Sequence, residues 1–281
     1  MITTCIGTNN SFPYLKLAVE SVRKNHHFKD SQLIVCAENC DDGTDEWLEE
    51  NKNKYNITPL IVKTKLDDEI GIGGGMNLMA EQVNTEFINF IHADMYVAPN
   101  QDLGLYNLFK DDSKPLVVSS HRVQPLVFPG DIGRPGTLIV PNDMFGELHD
   151  NFDENFFDEW ATEFSELNDF TIPKGEGVSF MIRKSDWDYI GGNDPRFNPL
   201  SYDDMDLFLR MKQENYEFTL TSQSVVYHFG SRSFNGHFAN DSIGQRTSRQ
   251  SHYEQRSAIR FKEKWGGMPF HDEYGMVCGV R

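Results

Sequence analysis

The sequence predicts an α/β protein whose central sheet is mostly parallel and flanked by helices. Short apolar runs typical of buried strands alternate with stretches in which apolar residues recur at helical spacing. Strands that alternate with helices are joined by right-handed crossovers and therefore lie parallel in one sheet. Ligands bind at the carboxyl ends of the strands in such sheets. The residues that follow each predicted strand are therefore the first candidates for a functional site.

The first half of the chain supplies most of the elements behind this prediction. A helix is expected over 12–22, a second one capped by Asp45, and a third over 73–83 after a glycine-rich turn. The predicted strands of this half are 2–7, 32–37, 58–63 and 87–92.

The second half of the chain is less regular. Strands are predicted over 178–183 and 225–229, with a helix over 203–214, whereas residues 122–141 are rich in proline and glycine and are interpreted as irregular. Residues 142–169 carry ten acids and no lysine or arginine, and six of their side chains are aromatic. Two interpretations stay open for this insertion: an amphipathic helix that packs its aromatics on the core, or a ligand-facing wall, since sugars stack on aromatic rings and hydrogen-bond to carboxylates.

The C-terminal tail is basic, whereas the chain as a whole is acidic. Residues 229–264 hold seven basic side chains against three acids. They form either a solvated helix face or a loop and helix that close over a diphosphate. The basic residues are Arg232, Arg246, Arg249, Arg256, Arg260, Lys262 and Lys264.

Composition and charge exclude several classes of protein. The chain has 281 residues and a formal net charge of -17, which argues against nucleic-acid binding because that needs a basic face. An anionic ligand would need local neutralisation, and a bound divalent cation supplies it most simply.

Four scattered cysteines are interpreted as reduced thiols. With no signal peptide and no apolar run long enough to span a bilayer, we expect a cytoplasmic protein, with peripheral membrane contact left open.

Four groups of residues could carry chemistry. His92 and Asp94 end a predicted strand on the same side, and His228 ends another; imidazole and carboxylate groups there suit a divalent ion. The acids from Asp203 to Asp206 open a helix, where adjacent carboxylates raise the pKa of one of them and suit a general base. Each group also has a structural interpretation, as a buried histidine or a helix cap. The run 71–75 lacks a P-loop ending and is either a close backbone approach to a ligand or a flexible turn.

The order of these motifs resembles that of the family 2 glycosyltransferases, whose Rossmann-like catalytic domain has the GT-A fold. The resemblance covers about residues 1–230 and extends weakly into the tail. Segment 35–44 (VCAENCDDGT) resembles the family's VVDDGSTDGT, and 92–94 stands at the D-x-D motif. Segments 191–194, 203–210 and 264–266 resemble the family's GGFDE turn, EDxDLxxR motif and KWG ending.

The resemblance implies a division of the chain. A nucleotide-sugar-binding half is expected over 1–98, and an acceptor-side half over 99–230 with an insertion at about 122–170. A C-terminal loop and helix over 231–281 would close over the donor site.

The resemblance also implies roles for single residues. Asp204 would be the catalytic base, and Asp94 and His228 would bind Mn²⁺ or Mg²⁺, with histidine favouring Mn²⁺. His92 replaces the first acid of the D-x-D motif, which leaves open whether it binds the metal, and Asp203 stands where the family has glutamate. The residues expected to contact the nucleotide sugar are Thr8, Asn10, Glu38, Gly75, Asn77, His92, Ala93, Asp94 and Asp203.

The expected function is therefore sugar transfer. The donor would be a nucleoside-diphosphate sugar, with uridine favoured, and the acceptor a hydroxyl of a glycan or lipid-linked molecule, as in polysaccharide biosynthesis. A single displacement would invert the configuration. Two alternatives remain: a non-catalytic sugar- or nucleotide-binding module whose metal site has decayed at His92, and a sugar nucleotidyltransferase. The second would need a glycine-rich, basic loop after the first strand, which Thr8 to Ser11 do not provide.

Overall fold

The described part of the chain forms a mixed α/β fold. The computed structural model describes residues 1–65, 68–110, 114–127, 133, 135–173, 179–230, 248–273 and 275–281. One large sheet is covered by helices, and most of its pairings are parallel, which confirms the predicted fold class.

The first half of the chain builds one side of this sheet. Its four predicted strands match the observed ones to within one residue at each end. The elements are β1 (Ile2–Thr8), α1 (Phe12–Asn25), β2 (Gln32–Glu38), α2 (Thr44–Asn51), β3 (Ile57–Val62), α3 (Gly71–Glu81), β4 (Phe87–His92), β5 (Met95–Val97) and α4 (Gln101–Tyr106).

The second half adds the other side of the sheet and a helical tail. This half also contains two short 3₁₀ turns, Asn107–Lys110 and Pro195–Phe197. The elements are β6 (Leu116–Pro125), β7 (Thr137–Val140), α5 (Asn142–Phe145), α6 (Glu154–Leu167), β8 (Thr171–Pro173), β9 (Phe180–Arg183), α7 (Lys184–Ile190), α8 (Asp203–Gln213), β10 (Glu217–His228), α9 (Ser248–Trp265), β11 (Pro269–His271) and β12 (Val277–Val280).

Strand direction in the sheet brings distant segments to one edge. The strand order is β3-β2-β1-β4-β9-β6-β10-β5, with β7 on β6 and β8 on β10. Strands β1 to β4 are mutually parallel, as are β6, β7 and β10. Because β9 is antiparallel to both β4 and β6, the two groups run the same way. The carboxyl ends of β1, β2, β4, β6 and β10 therefore meet at the same edge.

Three sequence predictions were wrong in detail. Residues 122–125 and 137–140 lie in strands rather than irregular structure, and β10 begins eight residues earlier than the predicted strand at 225. In β6 and β10 the apolar pattern is broken by buried polar residues such as Ser120 and Ser224, which bond to each other at 2.8 Å.

The helix that was predicted to be capped by Asp45 begins before that residue. Thr44 is its first residue and Asp42, not Asp45, accepts hydrogen bonds from the Thr44 amide and hydroxyl, at 3.2 and 2.7 Å. Asp45 lies in the first turn, where its carboxylate pairs with Lys63 at 2.6 Å.

The acidic insertion is largely a packing element. Helix α6 directs Phe157 into an aromatic cluster with Phe145 and Tyr227, as the core-packing interpretation predicts. Trp160 is half-buried and Phe156 remains 45% exposed. None of the described helices is long and apolar enough to cross a membrane.

The glycine-rich start of α3 makes close contact with the protein itself. Gly71 has φ +63°, and a Cβ placed there would lie 1.8 Å from the carbonyl oxygen of Pro199. A Cβ on Gly73 would lie 2.8 Å from a carboxylate oxygen of Asp203. The glycines thus let α3 approach the segment that leads into α8 and the first acid of that helix.

We predict that Gly71→Ala destabilises the fold far more than Gly191→Ala. Both glycines have positive φ, so both alanines cost about 1–2 kcal/mol of left-handed strain. Only the alanine at 71 also meets backbone, since nothing lies within 4 Å of a Cβ on Gly191. Overpacking adds roughly 1–3 kcal/mol. Urea denaturation of both variants measures the difference, and equal losses of stability would contradict this account.

Candidate active site

Two histidines and an aspartate converge at the carboxyl edge of the sheet. His92, Asp94 and His228 each offer one ligand atom, and these atoms lie within 4.8 Å of one another. His228 Nε2 lies 3.6 Å from Asp94 Oδ2. Asp94 is buried and the histidines are half-buried, so the cluster opens towards solvent on the histidine side.

Backbone pairing places these three groups together. Strand β4 ends at His92, and the chain turns so that Met95 of β5 pairs with His228 of β10. The Phe229 amide then donates to the Asp94 carbonyl at 3.0 Å. Ala93, between His92 and Asp94, is buried in the core. The predicted metal residues are therefore brought together by main-chain hydrogen bonds.

Burial favours the neutral form of His92. Burial lowers the pKa of His92, while the charges of Asp94 and Asp204 act in the opposite direction and that of Arg122 lowers it further. A neutral imidazole is the ligand form of histidine. His92 thus shares the geometry and the protonation state of a ligand.

Asp203 and Asp204 begin α8 next to this cluster. Burial and the neighbouring charge of Asp204 raise the pKa of Asp203 from 3.8 to about 7. Loss of hydration also raises the pKa of Asp204, opposed first by backbone amides such as that of Met205, which donates to Asp204 Oδ1 at 2.7 Å, and then by His271 and His92. The Asp204 side chain is nevertheless exposed, so a substrate can reach it. An accessible carboxylate with a raised pKa is suited to accept a proton.

The third acid of this motif has a different task. Asp206 is fully buried, and one carboxylate oxygen accepts from Arg210 Nε at 2.8 Å. The other lies 2.6 Å from Lys264 Nζ and accepts from Trp265 Nε1 at 2.9 Å. Asp206 therefore joins α8 to the end of α9, and the EDxDLxxR-like and KWG-like segments meet in one ion-pair network.

Three described basic residues of the tail bind the protein itself. Arg256 donates to the Asn198 carbonyl at 2.7 Å, Arg260 to the carbonyl of Arg196, and Lys264 to Asp194 at 2.8 Å. These contacts dock α9 on the segment before α8. Arg232 and Arg246 lie outside the described residues, as does the side chain of Arg249.

Two loops that follow β1 and β2 at the carboxyl edge of the sheet are tied together. The Thr8 hydroxyl bonds to that of Ser11 at 2.8 Å, and Asn10 Oδ1 accepts from the Asp41 amide at 2.9 Å. Glu38 accepts from the Ile70 and Gly71 amides at 2.7 and 2.8 Å. Oε1 of Glu38 accepts a second hydrogen bond, from the Thr64 hydroxyl at 3.0 Å, whereas Oε2 has capacity for one beyond that from Gly71.

Gly75 and Asn77 lie on α3, and Asn77 makes a structural contact. Its Oδ1 accepts from the Asn193 amide at 2.9 Å and its Nδ2 donates to the Asn193 carbonyl at 2.8 Å. Gly75 is buried against Cys36 of β2. Neither residue reaches the histidine–aspartate cluster through a described contact.

Three residues near the cluster escaped sequence reasoning. Arg122 and Gln124 alternate with buried residues on β6, and both remain half-buried at the open edge. His271 of β11 acts on Asp204 electrostatically. Their segments showed no motif, because an isolated arginine or glutamine in a proline-rich stretch carries no signal by itself.

Comparison with known proteins identifies the family. The model of glycosyl transferase family 2 matches residues 3–165, more than half of the chain. This chain belongs to glycosyl transferase family 2. No curated protein matches it.

Solved structures of this family's fold are similar to the whole chain. GalNAc-T7 with UDP, GalNAc and Mn²⁺ is 16% identical with a TM-score of 0.64, over 98% of this chain and 48% of that one. S. aureus TarS is 15% identical with a TM-score of 0.53, over 94% of this chain and 43% of that one. TarS residues 1–349 with UDP-GlcNAc are 15% identical with a TM-score of 0.53, over 94% and 72%. The chain spans about half the length of the first two proteins, and at these identities the likeness shows the fold.

We predict that Asp203 makes stability fall as pH rises. Because the pKa of Asp203 is raised to about 7, the folded state binds its proton more tightly than the unfolded chain does. The stabilisation is therefore complete below pH 3.8 and is lost as pH rises through about 7. Asp203→Asn stays neutral, so its stability relative to the wild type should increase between about pH 5 and pH 8.

Urea denaturation across this range measures the effect, with Glu50→Gln, an exposed substitution on α2, as the control. Parallel pH profiles for the wild type and the Asp203 variant would contradict the assignment.

Proposed function

We propose that this protein is a glycosyltransferase that moves a sugar from a nucleoside-diphosphate sugar to a hydroxyl acceptor. The observation that carries the proposal is the convergence of His92, Asp94 and His228 near the exposed carboxylate of Asp204, in a chain of this family. A uridine nucleotide is favoured because the similar structures of GalNAc-T7 and TarS contain UDP or UDP-GlcNAc.

The three converging residues fit a divalent cation. Two imidazole nitrogens and a carboxylate oxygen within 4.8 Å are donors that suit Mn²⁺ better than Mg²⁺, which prefers oxygen ligands. Asp94 and His228 would hold the ion, with His92 as a third ligand. When bound, the cation would offset negative charge on the departing diphosphate.

Asp204 is the proposed catalytic base. Its carboxylate is exposed, lies close enough to His92 and His271 to feel their charges, and has a raised pKa. It would take the acceptor proton as the hydroxyl oxygen attacks the anomeric carbon from the face opposite the leaving group. A single displacement of this kind inverts the configuration at that carbon.

The remaining donor contacts are assigned to the loops at the same edge. Thr8, Asn10 and Glu38 would surround the nucleoside, while Asp203 and the backbone at Ala93 would face the sugar and phosphates. Gly75 and Asn77 would support this wall from α3 through the contact with Asn193. We assign 1–98 to the donor half and 99–230 to the acceptor half.

The acceptor side is assigned to the insertion. The partly exposed ring of Phe156 and the surrounding carboxylates on α6 offer stacking and hydrogen bonding to a glycan or lipid-linked sugar. The tail over 231–281 would complete the site. Of its described portion, His271 lies close to Asp204.

We predict that nucleotide binding depends on metal through Asp94. Thermal unfolding with a panel of nucleoside diphosphates, each with and without Mn²⁺, should show a metal-dependent rise in midpoint for one base. A ligand at 100 times its Kd stabilises by about 2.7 kcal/mol. Asp94→Ala should abolish the rise, whereas Asp188→Ala, an exposed substitution on α7, should keep it. A folded wild type that responds to no nucleotide would refute the proposed donor.

We predict that Asp204→Asn slows turnover without weakening donor binding. Loss of a positioned base costs about 10²–10⁴-fold, while the nucleotide contacts stay in place. Hydrolysis of the sugar nucleotide measures turnover without a known acceptor, and the thermal shift measures binding. A non-catalytic module would bind the donor and show no turnover in the wild type. Release of nucleoside triphosphate with pyrophosphate would instead identify a nucleotidyltransferase.

A further inference from the structure

The two ring nitrogens of His228 face different groups. Nε2 points to the cluster and lies 3.6 Å from Asp94 Oδ2. Nδ1 lies 3.4 Å from Oε1 of Gln124. An amide oxygen only accepts hydrogen bonds, so this contact requires a hydrogen on Nδ1. In a neutral imidazole, a hydrogen on Nδ1 leaves a lone pair on Nε2, the nitrogen directed at the cluster.

The backbone around Gln124 is fixed on both sides. Strand β6 is paired in parallel with β10, where Val123 stands opposite Tyr227, and with β7, where Gln124 stands opposite Ile139. The flanking residues Val123 and Pro125 are buried, while the Gln124 side chain is half-buried. A side chain on a strand paired at both edges is well placed to set the orientation of its neighbour.

We propose that Gln124 is a positioning residue that holds His228 as the Nδ1–H tautomer and so presents Nε2 to a divalent cation. Residues that bind the second nitrogen of a metal-ligating histidine fix its tautomer and ring orientation. The inference rests on the metal site of the proposed function. It assigns to β6 a part in that site that no motif marks.

The substitutions separate the acceptor oxygen from side-chain volume. Gln124→Leu removes the acceptor at similar size, and Gln124→Ala does so with less bulk should the leucine variant not fold. Gln124→Glu keeps an acceptor oxygen beside Nδ1. Gln213→Leu, an exposed substitution on α8, is the matched control for glutamine-to-leucine replacement.

The first measurement is the affinity of the metal-free full chain for Mn²⁺ alone, by calorimetry. We expect Gln124→Leu to bind about 10–100-fold more weakly, and Gln124→Glu and Gln213→Leu to stay close to the wild type. The second measurement is the nitrogen NMR spectrum of ¹⁵N-histidine-labelled, metal-free protein. The wild type and Gln124→Glu should show the Nδ1–H tautomer for His228, and Gln124→Leu should lose it.

The outcomes distinguish this inference from the proposed function. A leucine variant with wild-type Mn²⁺ affinity and an unchanged tautomer would overturn the role of Gln124 alone. A wild type that binds no Mn²⁺ would overturn both the role and the metal site. Normal Mn²⁺ binding that depends on Gln124, without any response to sugar nucleotides, would support the inference while the proposed transferase activity fails.

Discussion

The antiparallel pairing of β5 with the end of β10 is the constraint on which the site depends. Met95 stands opposite His228, and the Phe229 amide binds the Asp94 carbonyl. Without this pairing, two residues more than 130 positions apart would share only the same sheet edge, several strands away from each other. With it, main-chain hydrogen bonds hold an imidazole and a carboxylate 3.6 Å apart. Forming these hydrogen bonds does not require a flexible side chain to be ordered.

The start of α8 supports the site from the opposite direction. Close approach of α3 to the segment around Pro199 depends on Gly71. The Asn77 side chain makes two hydrogen bonds with the backbone of Asn193 in the same region. Helix α9 then covers the same segment through Arg256 and Ser257. The segment that precedes the acids of α8 is therefore in contact with α3 on one side and α9 on the other. Such packing suits groups that must keep a fixed distance from a ligand.

Much of this could be predicted from the sequence, for identifiable reasons. The strands of the first half are apolar on both faces, and their ends matched to within one residue. Asp94 and His228 were predicted as metal ligands from the family resemblance, with His92 left open, and all three stand at predicted strand ends. Strand β6 and the start of β10 were missed because they bury serines that satisfy one another. Arg122 and Gln124 come close to the candidate site through the pairing of β6 in the sheet, and His271 through the packing of the tail. Neither kind of contact leaves a local pattern in the sequence.

Helix α8 places two acids of one motif in unlike surroundings. Asp204 is exposed at the edge of the cluster, whereas Asp206, two positions later, is fully buried against Arg210, Lys264 and Trp265. Two residues along a helix correspond to a rotation of about 200°, so one face serves the solvent side and the opposite face the interior. Inserting a residue between these acids, or deleting Met205, would rotate one of them by about 100° relative to the other and into the wrong surroundings. The spacing between them is thus as much a part of the motif as the carboxylates themselves.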